Sequence, residues 1–183
     1  CAAQIGVFQE RAAHDAVGHL RVNILDAAPL HAEVIGLHHH GKAIRLNPAE
    51  VRAYRGRGDA YMGLGTAVCA VSDYTEAIKL CPHDADLYTG RASAYMGLGM
   101  YQHAVNDYDK AIAIRPEDAS LYDRRGMAHH NLQEYGQAIE DYNRAIELNP
   151  KFAAAFNHRG LVYQSRGDLG KAIDDYDRAV NID

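Results

Sequence analysis

Ala60-Tyr61-Met62-Gly63-Leu64-Gly65 returns unchanged 34 residues later as Ala94-Tyr95-Met96-Gly97-Leu98-Gly99. The same interval separates Lys79-Leu80-Cys81-Pro82, Ala113-Ile114-Arg115-Pro116 and Glu147-Leu148-Asn149-Pro150. Self-similarity at such an interval points to a solenoid, in which each unit buries its apolar face only by stacking on a neighbour. The interval divides the chain into units 51–84, 85–118, 119–152 and 153–183, the last stopping before its loop.

Within a unit, the fourth, eighth and eleventh residues draw one helical face, because side chains four and three apart lie above one another on a helix. The fourth residue is aromatic (Tyr54, Tyr88, Tyr122, Phe156) and the eighth small (Gly58, Ala92, Gly126, Gly160). The eleventh is Tyr61, Tyr95, His129 or Tyr163. A second face follows the same spacing: Ala70, Ala104, Ala138, Ala172, then Tyr74, Tyr108, Tyr142, Tyr176, then Ala77, Ala111, Ala145, Ala179. Between the two predicted helices stand Gly65, Gly99, Gln133 and Gly167, where a chain leaving a helix needs a residue that tolerates positive φ. Pro82, Pro116 and Pro150 close the units, since proline has no N–H with which to continue the preceding helix. All twelve tyrosines fall in four columns of this pattern, which makes packing their expected task.

This arrangement resembles the tetratricopeptide repeat family, whose signature runs Trp-x2-Leu-Gly-x2-Tyr, Ala-x3-Phe, then Ala and Pro. The likeness covers residues 51–183 with consistent departures: Tyr or Phe for the leading Trp, Tyr for the later Phe, and Arg57, Arg91, Arg125 and Arg159 where Leu is usual. The variant thus pairs an Arg-Gly element on the first helix with Asp-Tyr on the second. Asp73, Asp107, Asp141 and Asp175 form a matching column, and a charge near a core needs a partner, so a ladder of Arg–Asp pairs is expected. The resemblance implies an all-α, right-handed superhelical solenoid of antiparallel helix pairs.

Residues 1–50 hold no tyrosine but six of the eleven histidines, and the clean repeat fades there. Ala43-Ile44-Arg45-Leu46-Asn47-Pro48 still keeps the unit ending in register, with Leu20 and Ala43 in their columns. Residues 17–50 therefore read as a degenerate unit whose turn lies near Pro29, serving as a cap. A metal site from His31, His38, His39 and His40 is the competing idea. Three successive histidines point in different directions on a helix, and no cysteine or carboxylate set completes a ligand spacing.

No phosphate-binding glycine loop, nucleophile elbow or metallohydrolase motif occurs, and the Gly-x-Gly pairs recur with the repeat as turn glycines. Neither catalysis nor a cofactor is expected. The net charge of -5, with both signs interleaved, disfavours nucleic acid. No apolar run is long enough for a membrane span. Three cysteines without Cys-x-x-Cys spacing point to a reducing, cytoplasmic setting. A first residue other than Met and the truncated last unit suggest a fragment of a longer product. That truncated unit exposes an apolar face that a further helix or a second chain would cover.

The resemblance further implies that first helices line a concave groove through their second, fifth, ninth and twelfth residues. Here these are Arg52, Arg55, Asp59 and Met62; Asp86, Thr89, Ser93 and Met96; Ser120, Asp123, Met127 and His130; Ala154, Asn157, Leu161 and Gln164. Met62, Met96, Met127 and Leu161 would make an adaptable apolar strip, and Arg52 and Arg55 would favour an acidic segment. Some members of the family hold a chaperone's terminal carboxylate with a Lys, Asn and Arg clamp. Arg55 stands where a clamp Lys would be, but the ninth column lacks Asn, so that clamp is not expected. The chain is expected to be a scaffold binding a partner's peptide segment, the alternative being a docking portion of a larger enzyme.

Overall fold

The computed structural model describes residues 24–182. Among them stand nine helices and no strand: α1 (Ile24–Leu46), α2 (Val51–Gly63), α3 (Ala67–Leu80), α4 (Ala85–Gly97), α5 (Tyr101–Ile114), α6 (Ala119–Asn131), α7 (Tyr135–Leu148), α8 (Ala153–Ser165) and α9 (Leu169–Ile182). Each helix packs on the next, so the architecture is an all-α solenoid of helix pairs. No described helix is long and apolar enough to cross a membrane.

Four turns of one design join the helices of each pair. Gly65, Gly99 and Gly167 take φ of 69, 71 and 82°, and Gln133 takes 63° in the same place. The following N–H (Thr66, Met100, Glu134, Asp168) donates to the carbonyl five residues back, at 2.9 Å every time. This wraps the helix end and occupies a carbonyl that would otherwise lack a partner. Between pairs, Asp84 and Asp118 cap α4 and α6 by accepting from the N–H groups of Asp86 and Ser120. The fourth-column tyrosines pin these loops, with Tyr88 and Tyr122 donating to the carbonyls of Pro82 and Pro116.

The core is built from alanine and tyrosine. Ala70, Ala104, Ala138, Ala77, Ala111 and Ala145 are wholly buried, which lets second helices approach their neighbours closely. The tyrosine that follows each first alanine packs on the small eighth residue of the first helix, glycine in three units and Ala92 in the second. A Cβ on Gly126 would lie 2.8 Å from the Tyr142 ring, and one on Gly160 2.7 Å from the Tyr176 ring. Tyr74 is gripped from both sides, by Gly58 of its own unit and Gly90 of the next.

The arginine and aspartate columns meet in every unit. Arg57–Asp73, Arg91–Asp107, Arg125–Asp141 and Arg159–Asp175 are each two-pronged, Nε and one terminal nitrogen donating to the two carboxylate oxygens at 2.5–2.9 Å. The aspartates are buried. The remaining nitrogen of three arginines reaches back to the preceding second helix: Arg91 to Thr75, Arg125 to Asp109 and Arg159 to Asn143. Arg57 finds Gly41 in that place instead. Each guanidinium also stands over the fourth-column ring of its own helix, 5.5–6.0 Å from the centroid. One side chain thus ties two helices of a unit to the unit before it. The hydrogen bond to Asp141 is the main reason the Arg125 pKa rises above its ordinary value.

At the N-terminal end the structure departs from expectation. α1 is continuous through Pro29, where a turn was expected. The N–H that Pro29 lacks would have reached only the Leu25 carbonyl, so few helical bonds are lost so near the helix start. From Glu33 onward, α1 lies on α2 in the position that each later second helix takes against the first helix that follows it. Gly36 meets Ala60 in the alanine column, and His40 fills the tyrosine column, 2.5 Å from where a Gly56 Cβ would be. Residues 1–23, which include Leu20 and the first seven residues of the expected unit 17–50, lie outside the described residues, as does the side chain of His31.

Candidate functional site: the stripe on the first helices

The proposed groove columns lie along α2, α4, α6 and α8. Polar contacts stitch neighbouring helices across this stripe: Arg55 to Asp86 at 3.4 Å, Arg124 to Ser93 at 3.5 Å, His158 with Asp123 at 2.7 Å and His130 with Ser165 at 3.4 Å. Asp86 also takes an ion pair from Arg115. Tyrosine hydroxyls of the second helices reach the stripe from beneath, Tyr74 donating to Asp59 at 2.6 Å and Tyr176 to Gln164 at 2.9 Å. Burial, reinforced by the Asp59 carboxylate, pushes the Tyr74 hydroxyl well above its ordinary pKa.

These contacts sort the expected residues. Arg52, Arg55, Asp59, Met127, Asn157, Leu161 and Gln164 are exposed, while Asp86, Thr89, Ser93 and His130 are half-buried. Thr89 turns its hydroxyl to the Ala85 carbonyl of its own helix. Asp123 is buried under the His158 ring and does not face solvent, so it is not an open groove residue. The four-residue apolar strip is also cut in half. Met62 and Met96 are half-buried against the tyrosine–alanine core, whereas Met127 and Leu161 keep 36% and 40% exposure. Burial, then the neighbouring His158, holds the His130 pKa below its ordinary value.

Sequence reasoning passed over the sixth column, which holds Gly56, Gly90, Arg124 and His158. The two glycines admit the His40 and Tyr74 rings. Arg124 and His158 instead carry side chains across to the neighbouring first helix. The change from glycine to large polar residues halfway along a column was the signal available. Among the described residues no three His, Cys, Asp or Glu side chains converge as metal ligands, and His38 and His39 are exposed. Cys69 is buried and is no free thiol, unlike half-buried Cys81, which departs from the reading of the cysteines as thiols.

Two sequence profiles described as tetratricopeptide repeat match residues 85–118 and 153–183, and one described as TPR repeat matches 126–166. The first tetratricopeptide domain of Spaghetti (RPAP3), solved with the HSP90 peptide SRMEEVD, is 30% identical, covering 64% of this chain and 94% of its own, with a TM-score of 0.62. The chain belongs to the tetratricopeptide repeat family. Over a longer span, this tetratricopeptide protein has the fold of MamA (22% identity, 90% of this chain and 96% of that, TM-score 0.78). It also has that of YrrB, described as a TPR protein with an unusual peptide-binding site (21% identity, 85% and 80%, TM-score 0.72). No curated protein matches in sequence.

Proposed function

We propose that this tetratricopeptide array is a protein-interaction scaffold whose first-helix stripe holds a segment of a partner protein. The observation that carries the proposal is the exposure of Met127 and Leu161, equivalent residues on successive first helices, on a stripe whose polar neighbours are largely occupied with one another. Flexible or branched apolar side chains that stay open beside fixed polar ones suit a surface that accepts apolar side chains of a peptide. Arg52 and Arg55 stand exposed at the α2 end, so a segment with acidic residues towards that end is favoured. The Spaghetti domain, similar over much of this chain, is known with a bound peptide. The ninth column here has Asp59, Ser93, Met127 and Leu161 and lacks the asparagine of a carboxylate clamp, so recognition rests on side chains along the segment rather than on its terminus.

The test is selection of binding peptides from a displayed library, followed by titration against the parent and a Met127→Glu/Leu161→Glu variant. Both residues are exposed, so circular dichroism of the variant should match the parent. Loss of most of the affinity supports the proposal, while amidation of the peptide's C-terminus should change it little. Equal binding by parent and variant overturns it.

A further inference from the structure

The open apolar pair of the stripe is framed by two imidazoles. On α6, Met127 lies one turn after Asp123 and one turn before His130; on α8, Leu161 lies one turn after His158 and one turn before Ser165. Among the described residues, the side-chain bonds between α6 and α8 are Asp123 with His158 at 2.7 Å and His130 with Ser165 at 3.4 Å. A histidine makes each of them. Met127 and His130 also stand in the interior of the array, since α6 is bonded to α4 through Arg124 and Ser93 as well as to α8.

The two rings differ in what faces them. His158 has the buried carboxylate of Asp123 to match a positive charge, and its ring lies against Tyr142 of α7, the centroids 5.9 Å apart. His130 has no carboxylate within ion-pair distance among the described residues. Ser165 of α8 and the Tyr135 ring of α7, at 5.8 Å, stand around it, while the adjacent His129 is turned to Glu134. Of the ionisable groups on the helices packed against α6, His158 is the one whose charge acts on His130. Burial, then His158, lowers the His130 pKa, so the ring is uncharged at neutral pH. Ser165 gives its proton to the Leu161 carbonyl at 2.9 Å, so its oxygen accepts from His130 Nε2, and Nδ1 is left to take up a proton in acid. An apolar side chain seated on Met127, one turn away, draws water off this ring and supplies nothing to pair with its charge. Resting on the reading of the stripe as a peptide site, we propose that His130 is the acid release of that site: neutral, it lies under a bound apolar segment, and protonated, it drives the segment off. By linkage, the complex holds the ring's pKa lower than the free chain does, so affinity is level above the free chain's value and falls as pH drops below it.

The probe is a peptide selected from a displayed library that omits Asp, Glu, His, Lys and Arg, made with blocked ends so that its own charge does not change. Titration calorimetry from about pH 7.5 to about pH 5, in two buffers of different ionisation enthalpy, reads affinity and protons released together. The parent's affinity should fall roughly tenfold over that range, with up to about one proton released per peptide bound at the acid end. His130→Gln keeps a donor for Ser165 and carries no charge. It should bind like the parent at neutral pH and lose most of the pH dependence and the proton release, although His129 and His158 still titrate. Circular dichroism confines the comparison to pH values at which both proteins keep their helicity. A parent affinity that does not change with pH, or a variant that follows the parent, overturns the acid release. If the Met127→Glu/Leu161→Glu variant still loses the peptide at neutral pH, only the acid release has failed. If that variant binds like the parent, the peptide site itself has failed and His130 falls with it.

Discussion

Substituting Arg125→Met keeps an aliphatic stem in the solenoid and removes the guanidinium that holds Asp141. Two hydrogen bonds to Asp141, at 2.9 and 2.5 Å, and one to Asp109, at 2.6 Å, are lost together. The Asp141 side chain keeps 6% exposure and Arg125 22%, so the carboxylate is left where water reaches it poorly, with only His129 Nε2 nearby at 3.8 Å. Breaking a fully buried pair costs about 3–5 kcal/mol, and the partial exposure of the arginine lowers the expectation to about 2–3 kcal/mol. Asp141→Leu should cost less, because Arg125 retains Asp109 and the Tyr122 ring. The neutral double variant should lie within about 1.5 kcal/mol of the parent, because no unpaired charge remains in the core. Urea unfolding followed by circular dichroism compares the four proteins. Hydrogen exchange in α6 and α7 adds a local measure, since repeat arrays need not unfold in one step. A double variant whose loss equals the sum of the two single losses refutes the coupling. Exchanging the two charges should restore less than neutralising them, because the new aspartate would face Asp109 and lose its stacking on Tyr122.

Gln133 holds a left-handed conformation that its three counterparts assign to glycine, so Gln133→Gly should stabilise the chain by roughly 0.5–1 kcal/mol. An unchanged or lowered urea midpoint would contradict the strain. Burial pushes the hydroxyls of Tyr74 and Tyr142 well above the ordinary tyrosine range. The folded state therefore keeps protons that the unfolded state releases above about pH 10, and stability falls as pH rises past that point. Part of the tyrosinate absorbance should appear only together with loss of helicity, and complete titration of all tyrosines on an intact helical spectrum would refute this.

Much of the fold was legible because the repeat brings every constraint back several times. The Arg and Asp columns are each repeated without exception, and a charged pair near alanine and tyrosine columns has few other partners, so the ladder could be read directly. Gln133 was legible for a similar reason, standing where three glycines mark a positive φ. Reading failed where no repeat supports it. Pro29 suggested a turn because proline usually interrupts a helix, yet α1 runs through it near its start. The methionine strip failed halfway: the twelfth-column residues Met62 and Met96 rest against the core, and only the ninth-column Met127 and Leu161 stay open.

By itself the sequence determined the helix pairs, their turns, the columns that pack and the Arg–Asp pairing, because each follows from local periodicity or from a requirement inside one unit. The tertiary structure decided what happens between units. It turned the spare nitrogens of Arg91, Arg125 and Arg159 to the preceding second helix and drew Asp123 under His158. Those outcomes depend on which side chain a neighbouring helix places opposite, a distance in space that no interval along the chain records.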